Sequence, residues 1–170
     1  MEKLKPWIGS LALLPIVIWL SINVGDFIFL IDHFNLLIHE GGHGIFKLFG
    51  SFIYTLGGTL MQIILPSIFI YYFISHRQKF GAQCSLVWLG QNLMNISVYV
   101  ADAQERSLPL LGGNKVYHDW HFLLGRMGLL EYDNAIGLGF YFLGIMFFCI
   151  ALLTPLYLKN YQTTKINLDL

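Results

Sequence analysis

Four stretches of this chain, residues 7–25, 53–74, 81–101 and 136–158, contain no Asp, Glu, Lys or Arg. Each runs to about 20 residues, the length at which an apolar α-helix crosses the hydrocarbon core of a bilayer. Composition agrees with that reading: 56% of the residues are hydrophobic and 12% charged, against about 25% charged in an ordinary soluble domain. Ten Lys and Arg balance ten Asp and Glu. There is thus no basic excess for nucleic-acid phosphates and no acidic excess for a solvating tail. Cys84 and Cys149 both sit in apolar stretches, so neither a disulfide framework nor a cysteine-rich metal site is expected. The apolar run from Trp7 continues without a small-residue cleavage site and reads as a retained anchor.

A fifth stretch, residues 27–49, is long and largely apolar yet carries Asp32, His33, His39, Glu40, His43 and Lys47. Ionisable groups near a bilayer centre each cost at least about 2.5 kcal/mol on insertion scales, so this cluster requires pairing, a metal or a water-filled cavity. The resulting expectation is an all-α membrane protein. It has about five transmembrane helices, with a short amphipathic surface helix at residues 118–130 in the long connection. The 170 residues form one integral membrane domain, multi-pass, in the cell (inner) membrane. Lys3, Lys5, Lys47, Arg106, Lys115 and Arg126 fall on one side and Arg77, Lys79, Lys159 and Lys165 on the other. That asymmetry favours a cytoplasmic N-terminus.

Residues 39–43 read His-Glu-Gly-Gly-His. On a helix, His39 and His43 lie one turn apart on one face and can bind one zinc, with Glu40 beside them to activate water. Asp32 and Asn35 fall approximately on the same face; they either orient an imidazole or face a wet vestibule. His33 is off the stripe, and His76 sits in a basic turn. Gly41 and Gly42 keep the helix surface small, for substrate or for a neighbouring helix.

Catalytic zinc usually takes three protein ligands. Asn92, Asn95, Tyr99 and Asp102 follow 3, 4, 3 spacing and share one helix face. Asp102, at the end of that stripe, is the preferred third ligand. The alternatives are His118, Asp119 and His121 in the long connection, which is long enough to fold back over the site.

With HEGGH inside an apolar span, the chain resembles the site-2 protease family of intramembrane zinc metalloproteases, or a compact relative, over about residues 27–113. In that family an HExxH helix, a following helix and a later helix bearing an Asp ligand form the core. The resemblance implies zinc held by His39, His43 and Asp102, with Glu40 as the catalytic base. It also implies a membrane-protein or peptide substrate cleaved in or near its transmembrane segments. The family's Asp stands in a Leu-Asp-Gly context, whereas residues 110–113 here read LLGG. Two other classes fit the same residues: a metal-binding membrane protein such as a transporter, and a structural subunit with a vestigial zinc site.

Overall fold

The structure, a computed structural model, describes residues 2–108 and 117–158. Residues 110–113 and the charges Lys115, Lys159 and Lys165 lie outside the described residues. All regular structure among the described residues is helical. A 3₁₀ segment leads into α1 (Ile8–Ile22), followed by α2 (Phe29–Phe46), α3 (Gly50–Ser75) and α4 (Lys79–Ala101). The short α5 (Asp119–Met127) and a long α6 (Asp133–Tyr157) complete the chain. The five long helices coincide within a few residues with the five apolar stretches, and α5 falls inside the expected 118–130 segment.

Three segments are long and apolar enough to cross a membrane: Leu4–Ile22, Phe29–Ser75 and Leu130–Tyr157. The second runs through α2, a 3₁₀ turn at Lys47–Phe49 and α3. Gly50, with φ +84, supplies the backbone conformation that turns the chain there. α4, the central helix, is less apolar than these. Its buried set includes Gln83, Ser85, Gln91, Asn92 and Ser97 alongside Leu86, Leu89, Leu93 and Ile96.

Packing is inverted relative to a soluble bundle. Ser10, Leu13, Val17 and Leu20 of α1, spaced 3, 4, 3, face inward. Leu13, Val17 and Leu20 cluster with Leu86, Val87 and Met94 of α4 and Phe148 of α6. The outward faces carry large apolar side chains such as Leu30, Leu37 and Phe142, while Asp32, Asn35, Gln62, Gln91 and Asn92 are buried.

α2 and α3 approach backbone to backbone. A Cβ on Gly42 would fall inside the Gly57 carbonyl, which is why small residues sit at this crossing. On the other side of the bundle, Trp120, Leu123 and Leu124 of α5 are buried with Leu89, Leu93, Ile96 and Val100 of α4. Their i, i+3, i+4 spacing is the apolar stripe of an amphipathic helix. Gly128, at φ +68, ends α5, with Leu129 N–H donating to Leu124 O at 2.9 Å. This docking brings the first residue of α5 to the polar face of α2.

Candidate metal centre

His39 and His43 project from one face of α2 toward Asp119, the first residue of α5. His39 Nε2 lies 2.9 Å and His43 Nε2 3.2 Å from the same Asp119 Oδ2, and the two Nε2 atoms are 3.1 Å apart. Four-coordinate zinc with bonds of about 2.0–2.1 Å places its ligand atoms roughly 3.3 Å from one another. The three donor atoms therefore already stand at about the spacing one such ion requires. Among the described residues these three form the only His, Cys, Asp and Glu group capable of holding a metal ion.

The hydrogen bonds behind the imidazoles say what the three atoms present to one another. His43 Nδ1–H donates to the backbone carbonyl of Tyr54 at 2.8 Å, and a carbonyl can only accept. His39 Nδ1 lies 3.0 Å from Gln62 Oε1. Gln62 in turn donates through Nε2 to Asn92 Oδ1 at 3.2 Å, and Asn92 Nδ2 donates to the Trp88 carbonyl at 3.0 Å. Read from that carbonyl outward, each amide has one orientation, and His39 must carry its proton on Nδ1. In the neutral imidazoles both Nε2 atoms are then bare acceptors, and they converge on a carboxylate oxygen. Three acceptors with no donor between them repel unless a cation or an added proton joins them.

Asp119 belongs to the connection rather than to a long helix. Burial pushes its carboxyl up, but a proton on the facing imidazoles, or a cation in its place, outweighs that and holds it below the usual carboxylate range. Gly58 makes room for His39, since a Cβ there would stand about 2.5 Å from the imidazole ring atoms.

Asp102, expected as the third ligand, is not in this group. Its Oδ1 accepts from Ser107 N–H and Ser107 Oγ–H at 2.8 and 2.7 Å, and its Oδ2 from Leu108 N–H at 3.1 Å and His118 Nε2–H at 3.2 Å. At the end of α4, its carboxylate is occupied in shaping the turn that follows. His118 Nδ1 accepts from His121 N–H at 3.2 Å and so caps α5. His121 Nδ1–H donates to Ala103 O at 2.8 Å. Of the three loop alternatives, Asp119 reaches the α2 imidazoles, whereas His118 and His121 anchor its helix.

The polar stripe on α4 surrounds the centre without ligating it. Asn92 orients Gln62, Asn95 donates to Asp32 at 2.6 Å, and Tyr99 Oη accepts from Asp119 N–H at 3.0 Å. Asp32 also accepts from Gln91 at 2.8 Å, and Asn35 is held by Gln91 and Trp88. Asp32 and Asn35 thus tie α2 to α4 and do not hold an imidazole. The groups that do, Gln62 and the Tyr54 carbonyl, were not singled out from the sequence. Gln62 carries a signal nonetheless, as the one amide side chain in residues 53–74.

A cavity of about 810 Å³ opens onto the cluster, lined among others by Asp32, Glu40, Tyr54, Asn95, Tyr99 and Phe122. Glu40 is exposed within it, next to His39 in the chain. Gly42 faces α3, while a Cβ on Gly41 would meet nothing within 4 Å. Gly42 therefore serves helix packing and Gly41 lies on open surface.

Comparisons of the chain with protein-family models, curated proteins and solved structures give no match.

Proposed function

We propose that this protein is a multi-pass membrane-embedded zinc endopeptidase that cleaves peptide bonds in or near transmembrane segments of membrane-protein or peptide substrates. α1, α2, α3, α4 and α6 cross the cell (inner) membrane and α5 lies against the bundle end. The observation that carries the reading is the convergence of His39 Nε2, His43 Nε2 and Asp119 Oδ2 at mutual distances of 2.9–3.2 Å. His39, His43 and Asp119 would hold the ion, the chemistry of two imidazoles and a carboxylate suiting zinc. When bound, zinc supplies Lewis acidity and acidifies water. Glu40, in the same cavity, takes the proton from the attacking water and returns it to the departing amine nitrogen. Gln62 and the Tyr54 carbonyl hold Nδ1 of His39 and His43 and leave both Nε2 atoms facing Asp119, where they would bind the ion. The cavity admits water to the depth of His39, and its size suits an unwound peptide segment. Unwinding is required because helical carbonyls are already hydrogen bonded.

The test is hydrolysis of a quenched-fluorescent transmembrane peptide by the purified protein in proteoliposomes. Wild type should cleave it, and Glu40→Gln should be slower by about 10²–10⁴-fold. Equal rates in the two proteins would reject Glu40 as the base. Metal flux with no hydrolysis in either would transfer the site to a carrier.

A further inference from the structure

The start of α5 is held against the end of α4 by three contacts that do not involve His39 or His43. Tyr99 Oη accepts from Asp119 N–H at 3.0 Å, Asp102 Oδ2 accepts from His118 Nε2–H at 3.2 Å, and Ala103 O accepts from His121 Nδ1–H at 2.8 Å. Asp102 does more than hold His118. The same Oδ2 accepts from Leu108 N–H at 3.1 Å while Oδ1 accepts twice from Ser107. One buried carboxylate therefore joins Leu108, which leaves the end of α4, to His118, which enters α5. Tyr99, whose ring packs on His118 with centroids 4.3 Å apart, fixes the very next residue.

From this arrangement we propose that Asp102 is a positioning residue for the metal centre: by clasping Leu108 and His118 together, with Tyr99 beside it, it presents Asp119 to His39 and His43. The inference rests on the reading of these three residues as metal ligands. Its physical basis is the placement of Asp119 on an element separate from the helix that bears the imidazoles. His39 and His43 are fixed by α2, whereas Asp119 reaches them only when the start of α5 is docked against the end of α4, and any other docking would dilute its effective concentration at the ion. A carboxylate that accepts four hydrogen bonds favours that docking before the metal arrives. Outer groups of this kind commonly change metal affinity by about 10–100-fold when removed.

The experiment measures zinc affinity by chelator competition, and the visible spectrum of the Co²⁺ adduct, for the full chain in detergent. The proteins are wild type, Asp102→Ala, Asp102→Asn, Tyr99→Phe, Asp119→Ala and the Asp102→Ala/Asp119→Ala double variant. Asp102→Ala should weaken zinc binding about 10–100-fold, and Asp102→Asn, which keeps one acceptor oxygen, should fall between it and wild type. The Co²⁺ spectrum of Asp102→Ala should shift toward that of Asp119→Ala. In the Asp119→Ala background, where His39 and His43 alone bind added metal too weakly to retain it through purification, Asp102→Ala should cost nothing further in affinity at added metal, because its effect runs through the missing ligand; a general loss of structure would cost the same in both backgrounds. If Asp102→Ala fails to fold, Tyr99→Phe decides, with an expected loss of about 3–10-fold and the same Co²⁺ shift. Wild-type affinity in Asp102→Ala, or in Tyr99→Phe where that variant decides, overturns the proposal, as does full additivity with Asp119→Ala. Absence of metal binding in wild type is a different failure: it overturns the metal centre itself and the clasp with it.

Discussion

At the scale of single residues, the proposed chemistry divides between groups that would hold an ion and one that would move a proton. Glu40 makes no contact with the three converging atoms in the hydrogen bonding of the site, so Glu40→Gln should keep zinc and fold while losing hydrolysis. His43→Ala and Asp119→Ala should lose zinc, as read by elemental analysis. Gly58 gives a sharper steric test. Because a Cβ there would stand about 2.5 Å from the His39 ring, Gly58→Ala should push the imidazole off its Gln62 partner and weaken zinc binding at least 10-fold. Unchanged affinity in Gly58→Ala would mean that the ring is not held where the geometry has it. The HEGGH residues were legible in the sequence because 3.6-residue periodicity alone puts His39 and His43 on one face. Asp119 stood only among the alternatives, since spacing along a chain does not say which end of a long connection folds back. Asp102 was favoured because it shares a face with Asn92, Asn95 and Tyr99. That shared face is real, but it ends where the helix ends, and there the carboxylate meets Ser107, Leu108 and His118.

At the scale of elements, the site depends on α4 and α5 as much as on the helix that bears the motif. The route from Trp88 O through Asn92 and Gln62 to His39 Nδ1 predicts that Gln62→Leu, which preserves apolar packing but removes the acceptor, weakens zinc binding by about 10–100-fold. Chelator competition would show it, and an unchanged affinity would mean that Gln62 does not position His39. The turn after α4 gives a pH test. Burial pushes the Asp102 carboxyl up, but the hydrogen bonds from Ser107 and Leu108 outweigh this and hold it below the usual range. A depressed value in the folded state stabilises the fold above the unfolded value of about 3.9. That contribution fades as pH falls through the lower, folded value. The melting-temperature gap between wild type and Asp102→Asn should accordingly be constant from about pH 5 to 7 and narrow below about pH 4. A gap that widens in acid would contradict the assignment. Helix existence and approximate bounds were legible from charge-free runs, and the amphipathic α5 from its Trp120, Leu123, Leu124 spacing. Which helix lies at the centre was not. α4 owes that place to amides that lower its hydropathy and look, in one dimension, like a weaker membrane span.

At the scale of the whole molecule, polar side chains are gathered inside and large apolar ones are turned outward, the distribution expected where the surroundings are lipid. Three apolar segments long enough to cross a membrane predict that the protein stays with the membrane pellet after alkaline carbonate extraction; release into the supernatant would contradict it. The cavity that reaches the imidazoles explains how His39, Glu40, His43 and Asp32 can stand inside such a bundle. One ion held by His39, His43 and Asp119 is the centre of the proposed function, and its most direct measurement is metal stoichiometry of the detergent-purified protein. Wild type and Glu40→Gln should each carry about one zinc per chain, in keeping with a single three-ligand site, and His39→Ala, His43→Ala and Asp119→Ala should carry almost none. A wild-type protein without metal, or an Asp119→Ala protein with full occupancy, would contradict it.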